Sequence, residues 1–168
     1  MASAIMSVAA GVRRMCAAAL ILVCLSTPPR AVAEPPDGAT VTLDGTRYAR
    51  VREALLEAIA EEGLASPLVS NFGDMLRRTA GDLGHSDALY EHAEIFIFCS
   101  IAVAARLAAE ARDNIAQCPM SIAIYSTPET PEKVVMTYRL PPGQSPGARM
   151  AAETVARIAS RTYEHSFP

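Results

Sequence analysis

The run Ala93-Glu94-Ile95-Phe96-Ile97-Phe98-Cys99 constrains this chain more than any other stretch. It holds a single charge and is dominated by β-branched and aromatic side chains, which fit a pleated surface. Such a run predicts a strand that is buried on both faces or central in a sheet. The next residues supply its neighbours. Ser100 is placed to cap a helix over 101–111, with Ile101, Ala104, Ala105, Leu107 and Ala108 on or near the buried side. Cys118-Pro119 opens a strand over 120–125, where Ile122 and Ile124 alternate with Ser121 and Ala123. Proline is tolerated at a strand's first position. A loop over 127–131 leads to an antiparallel return over 133–140 with Val134, Met136 and Tyr138 on one face, and Pro141-Pro142-Gly143 stops it.

Upstream, Val51, Leu55, Ala58 and Ile59 recur at spacings of three and four, predicting a helix over 50–62 that Gly63 closes. Short strands are expected at 41–43 and 68–69. Asn71 can cap a helix over 72–80, with Met75 and Leu76 inward and Gly81 as its end. A terminal helix over 146–163 carries Met150, Thr154 and Ile158 along one stripe beside Val155. Interspersed helices and strands with a closing hairpin predict an α+β fold. The expected form is a single two-layer domain, an antiparallel sheet packed against helices rather than a doubly wound parallel sheet.

The first 33 residues read as a cleavable secretion signal. Arg13 and Arg14 give a positive start, Met15 to Ser26 an apolar run, and Ala31-Val32-Ala33 the small residues a signal peptidase checks. The run is short for a bilayer, whose spanning helices need about 20 apolar residues. Cleavage is expected between Ala33 and Glu34, and the compartment is then periplasmic or secreted. Residues 34–39, with Pro35-Pro36, read as a linker. Three of the 15 basic residues and none of the 18 acidic ones lie in the leader, so the remainder carries 12 against 18, a net charge of −6. That balance argues against nucleic acid as a partner, since its binders carry basic patches. No second stretch is apolar enough to span, so no stable membrane insertion is expected after cleavage.

Several segments together carry a family resemblance. They are Phe98-Cys99-Ser100, Arg112-Asp113-Asn114-Ile115, Cys118-Pro119 with Ile122-Ala123-Ile124-Tyr125, and Tyr138-Arg139-Leu140-Pro141. The helix ending in Gly63 and Asn71-Phe72-Gly73 stand upstream in matching order. Over residues 40–165 the chain resembles the family called domain of unknown function 302. Where that family has an aromatic after Cys-Pro, this chain has Met120. The resemblance implies a curved antiparallel sheet gripping helices, similar to the TATA-binding-protein class. It also implies that pairing into a homodimer is open to the chain. The family has no agreed enzymatic activity, so it supplies no catalytic residues.

The candidate site residues are few. Cys99 and Cys118 are the cysteines that remain after the leader. They admit three readings: a disulfide, worth roughly 3 kcal/mol in the chain-entropy model, two inert buried thiols, or a ligand or redox pair. The spacing matches no CxxC motif. His85, His92 and Met120 are candidate ligands to haem or a soft metal. Their simplest reading, for the histidines, is a polar surface loop. Arg139, at a strand end beside Tyr138, is a candidate contact for an anionic ligand. Ser100 is a further candidate, although helix capping accounts for it. There is no Gly-x-Ser-x-Gly elbow and no phosphate-binding Gly-rich loop. The expectation is therefore a binding or accessory protein for an unknown small ligand. A haem or metal protein, or a thiol-redox protein, is the alternative. N-terminal sequencing of the protein recovered outside the cytoplasm should begin at Glu34; an intact Met1 there would remove the leader reading.

Overall fold

The computed structural model describes residues 38–84 and 89–167. Alternation builds its sheet. Along β4 (Met120–Thr127), Met120, Ile122, Ile124 and Ser126 are buried, and the residues between them are half-buried. This is the period-two pattern of a strand with one face on a core. β5 (Thr130–Arg139) returns antiparallel, placing Met136 opposite Ile124 and Tyr138 opposite Ile122. On its other side β5 pairs with β1 (Gly38–Asp44), where Leu43 meets Val134. β3 (His92–Phe98) pairs with β4, with Phe96 opposite Ile122. β2 (Leu68–Ser70) adds a short edge to β3. The order is β1-β5-β4-β3-β2, and every neighbouring pair is antiparallel.

Helices cover one face. α1 (Tyr48–Glu61) brings Val51, Leu55, Ala58 and Ile59 onto it. α4 (Pro146–Ser166) runs beside α1 and adds Ala151, Val155, Ile158 and Ala159. Val103 and Leu107 of α3 (Ile101–Glu110), one turn apart, complete the core. A 3₁₀ turn, Arg112–Gln117, joins α3 to β4. α2 (Phe72–Leu83) lies against β3. The result is the expected two-layer α+β fold. Among the described residues no helix is long and apolar enough to cross a membrane.

Several boundaries differ from the sequence reading, each for a local reason. β1 starts at Gly38, inside the expected linker, because Gly38–Thr40 pair with Thr137–Arg139. Only glycine fits at that first position, since a Cβ would stand 2.2 Å from the Tyr138 carbonyl oxygen. α2 runs through Gly81 and closes at Gly84, which supplies the positive φ of +68° that Gly81 was expected to give. Met75, expected inward, is exposed, and Leu76 is half-buried. In α3 the expected face is rotated: Ile101 is 83% exposed, and the helix meets the core through Val103 and Leu107. Met150 of α4 is likewise exposed. The leader and His85 lie outside the described residues.

Two carboxylates lock the helices together. Glu62, just past α1, accepts from Arg157 Nη2 at 3.0 Å and from Arg161 Nη1 at 2.7 Å, both on α4. Its side chain is only 10% exposed. The Arg157 hydrogen bond, ahead of the opposing cost of burial, lowers the Glu62 pKa below the ordinary carboxylate range. Glu110, the last residue of α3, accepts from the Gly147 amide at 2.7 Å in the first turn of α4. Ser145 caps the same turn by accepting from the Ala148 amide.

Glu62→Gln should cost about 1–2 kcal/mol at neutral pH, because it replaces charge-assisted bonds to partly exposed arginines. The folded pKa lies below the unfolded one. The contribution is therefore complete above the ordinary Glu value near 4.3 and fades as the pH falls through the lower folded value. Urea unfolding at pH 7 and in steps to pH 3 measures both effects. A variant with wild-type stability at pH 7 would show that the clamp contributes nothing.

Candidate functional site

β2 stops at Ser70, opposite Ile95, so His92–Glu94 at the head of β3 have no strand on that side. The first turn of α2 enters this gap. Gly73 there is buried, and a Cβ on it would stand 3.1 Å from the Ala93 amide nitrogen. Phe72 stacks edge-on against Tyr90, and Tyr90 against Tyr125, with centroids 6.1 and 5.3 Å apart. These contacts brace the turn. Between it and the start of α1 lies an open cleft of about 220 Å³, lined by Tyr48, Asn71, Asp74, Arg77, His92 and Glu94.

Glu94 shares a face with Phe96 and Phe98, yet its side chain is only 13% exposed. A carboxylate in such surroundings needs partners. Arg52 Nε donates to both carboxylate oxygens, at 2.9 and 3.2 Å, and its guanidinium carbon lies 5.9 Å from the centre of the Phe96 ring. The Tyr48 hydroxyl donates to Oε2 at 3.1 Å. Burial first, and then the facing carboxylate, push the Tyr48 phenol well above its ordinary pKa, so it remains a donor. The Tyr48 ring packs on the His92 imidazole, with centroids 4.7 Å apart and planes inclined by 30°. On β4, opposite His92, the Ser126 hydroxyl is buried without a hydrogen-bond partner. At the mouth, Arg77 pairs with Asp74 at 2.8 Å and donates to the Glu91 carbonyl. The cleft thus offers fixed hydrogen-bonding groups and an aromatic pair. Among the described residues that line it there is no nucleophile–base dyad.

The sequence candidates are scattered. His92 joins the cleft rather than a loop. Met120 is buried at the far end of the sheet, opposite Phe98. Six residues of strand separate it from the position of His92, about 20 Å, so one ion cannot touch both. Ser100 is the cap of α3, accepting from the Val103 amide. Tyr138 packs against the core, while Arg139 is exposed at the end of β5 opposite Gly38. Neither reaches the cleft lining. Cys99 and Cys118 meet at the far end of β3 and β4. The remaining described histidine, His165 near the end of α4, is half-buried, with Nδ1 3.5 Å from Glu57 and Nε2 3.9 Å from Glu61. Sequence reasoning missed Tyr48, Arg52 and Glu94. The available signal was Glu94 itself, the one charge in the most apolar strand.

Tyr48 gives a spectroscopic test of the buried pair. In an alkaline titration followed at 295 nm, Tyr48→Phe should leave the main tyrosine transition unchanged and delete a late component well above pH 10. Loss of amplitude from the main transition instead would mean that Tyr48 ionises as an ordinary surface phenol.

No family model matches the sequence, and no curated protein matches it. Among solved structures, the chain is similar to an uncharacterised conserved DUF302 protein from Bacillus stearothermophilus. The TM-score is 0.58 at 16% sequence identity, over 77% of this chain and 98% of that one. At that identity the likeness is one of fold: it makes this chain DUF302-like in architecture.

Proposed function

We propose that the chain is an exported binding or accessory protein that holds a small polar ligand in the cleft at the head of β3. One observation carries the reading: a carboxylate and a phenol held together behind an open, polar cleft. Glu94 and Tyr48 are fixed by each other and by Arg52, so the wall they form is rigid before any ligand arrives. Asp74, Glu91 and Glu94 line the cleft; Arg77 is paired with Asp74 and Arg52 with Glu94, which leaves one acid in excess. The Tyr48–His92 pair adds an aromatic surface. Acids beside an aromatic face suit a small organic cation, which gains from both. The placement outside the cytoplasm rests on the leader.

Thermal shift and calorimetry with small primary and quaternary amines, set against carboxylates of the same size, test this. Amines should stabilise the protein and carboxylates should not. Asp74→Asn and His92→Ala should each weaken amine binding by about tenfold, the effect of losing one charged or cation–π contact. A panel in which no amine binds, or an amine that binds both variants as tightly as wild type, would overturn the assignment.

A further inference from the structure

The far end of β3 holds a second centre, independent of the cleft. The antiparallel ladder between β3 and β4 ends at the pair Phe98–Met120. Cys99 follows Phe98 directly, and Cys118 precedes Met120 by two residues. Continued one step, the ladder sets Pro119 opposite Cys99 and leaves Cys118 one residue past it, and the two thiols are nevertheless within hydrogen-bonding reach of each other. Cys99 is exposed and Cys118 half-buried, packed against the core, and neither is bonded. Burial first, and then the facing Cys99, push the Cys118 thiol up. The two sulfurs therefore face each other with unequal access to solvent.

We propose that Cys99 and Cys118 form a thiol–disulfide exchange centre in which Cys99 is the attacking sulfur and Cys118 the resolving one. The oxidant is a small-molecule disulfide. The Cys99 thiolate attacks one of its sulfurs, so the reagent's S–S bond breaks, a Cys99 mixed disulfide forms and one thiolate leaves. Cys118 gives its proton to solvent and its thiolate attacks the Cys99 sulfur. The mixed disulfide breaks, the second reagent thiolate leaves, and the Cys99–Cys118 bond forms. The protein loses two electrons and two protons, and the reagent disulfide becomes two thiols. The bond joins the end of β3 to the start of β4 and encloses α3 and the 3₁₀ turn. Closing a loop of that length raises the melting temperature by about 10 °C.

Peptide mapping of the full-length chain, equilibrated in glutathione buffers of stepped potential, tests the assignment whatever the state of the leader cysteines. Tryptic peptides 79–106 and 113–133 should appear linked in oxidised glutathione and separate again in reduced glutathione. Cys118→Ser should trap glutathione on Cys99. In Cys99→Ser, Cys118 should react with an aromatic disulfide at least about tenfold more slowly than Cys99 does in Cys118→Ser. A linked pair that withstands reduced glutathione would be a fixed staple and would overturn the exchange role. So would the absence of linked peptides at every potential. Equal rates in the two single variants would overturn the assignment of attacker and resolver.

Discussion

Glu94 turns its carboxylate toward the helical layer, on a strand face it shares with His92, Phe96 and Phe98. An ionised carboxylate left alone there would cost several kcal/mol. The fold meets that cost by aiming the first two turns of α1 at it. Arg52 brackets both oxygens and Tyr48 adds a hydroxyl. Because Tyr48 and Arg52 sit on the same helix as Val51 and Leu55, pairing the charge also fixes which face of α1 meets the sheet. The cleft follows from the same constraint. One wall is Tyr48 at its station, and the other is the start of α2, drawn close by Gly73.

Much of the architecture was legible in the sequence, and the reason is periodicity. β4, β5 and α1 each repeat an apolar pattern over enough residues to reveal their type and inward face, whereas β3 and α4 reveal their type alone: β3 buries chiefly the face of Phe96 and Phe98, and Met150 of α4 is exposed. Ile122, Ile124, Val134 and Met136 fall where alternation places them. The weaker elements were misread where composition hides geometry. The alanine-rich α3 offers too little contrast to show its stripe, so Ile101 looked buried and is exposed. Two glycines compete to end α2, and only the backbone conformation at Gly84 settles it. The extension of β1 to Gly38 depends on a partner about a hundred residues away.

The cleft was hardly legible, because it is made of pairs distant in sequence. Tyr48 and Glu94 are 46 residues apart, and nothing local announces their hydrogen bond. His92 was noticed only as a possible ligand, since its stacking on Tyr48 requires the sheet to be assembled. Arg139 and Tyr138 attracted notice as a motif at a strand end, but the fold uses the tyrosine for packing and leaves the arginine in solvent. A shared architecture with a DUF302 protein supplies the frame on which such groups sit, not the chemistry they perform.

The bond from Gly147 to Glu110 has a consequence for how the chain assembles. Helices with a serine at their entry often carry an acidic side chain three residues on, which completes the start locally. Here that place is taken by Ala148, and the acid comes instead from the tail of α3. The longest helix of the domain therefore borrows half of its initiation signal from another element. Its entry is finished only after the earlier segment has docked. Acid that protonates Glu110 withdraws the loan, because the hydrogen bonds from Ser145 and Gly147 hold that carboxyl below its ordinary range. On acidification the seam between α3 and α4 therefore holds until the pH has fallen below the ordinary carboxylate range, and opens only then.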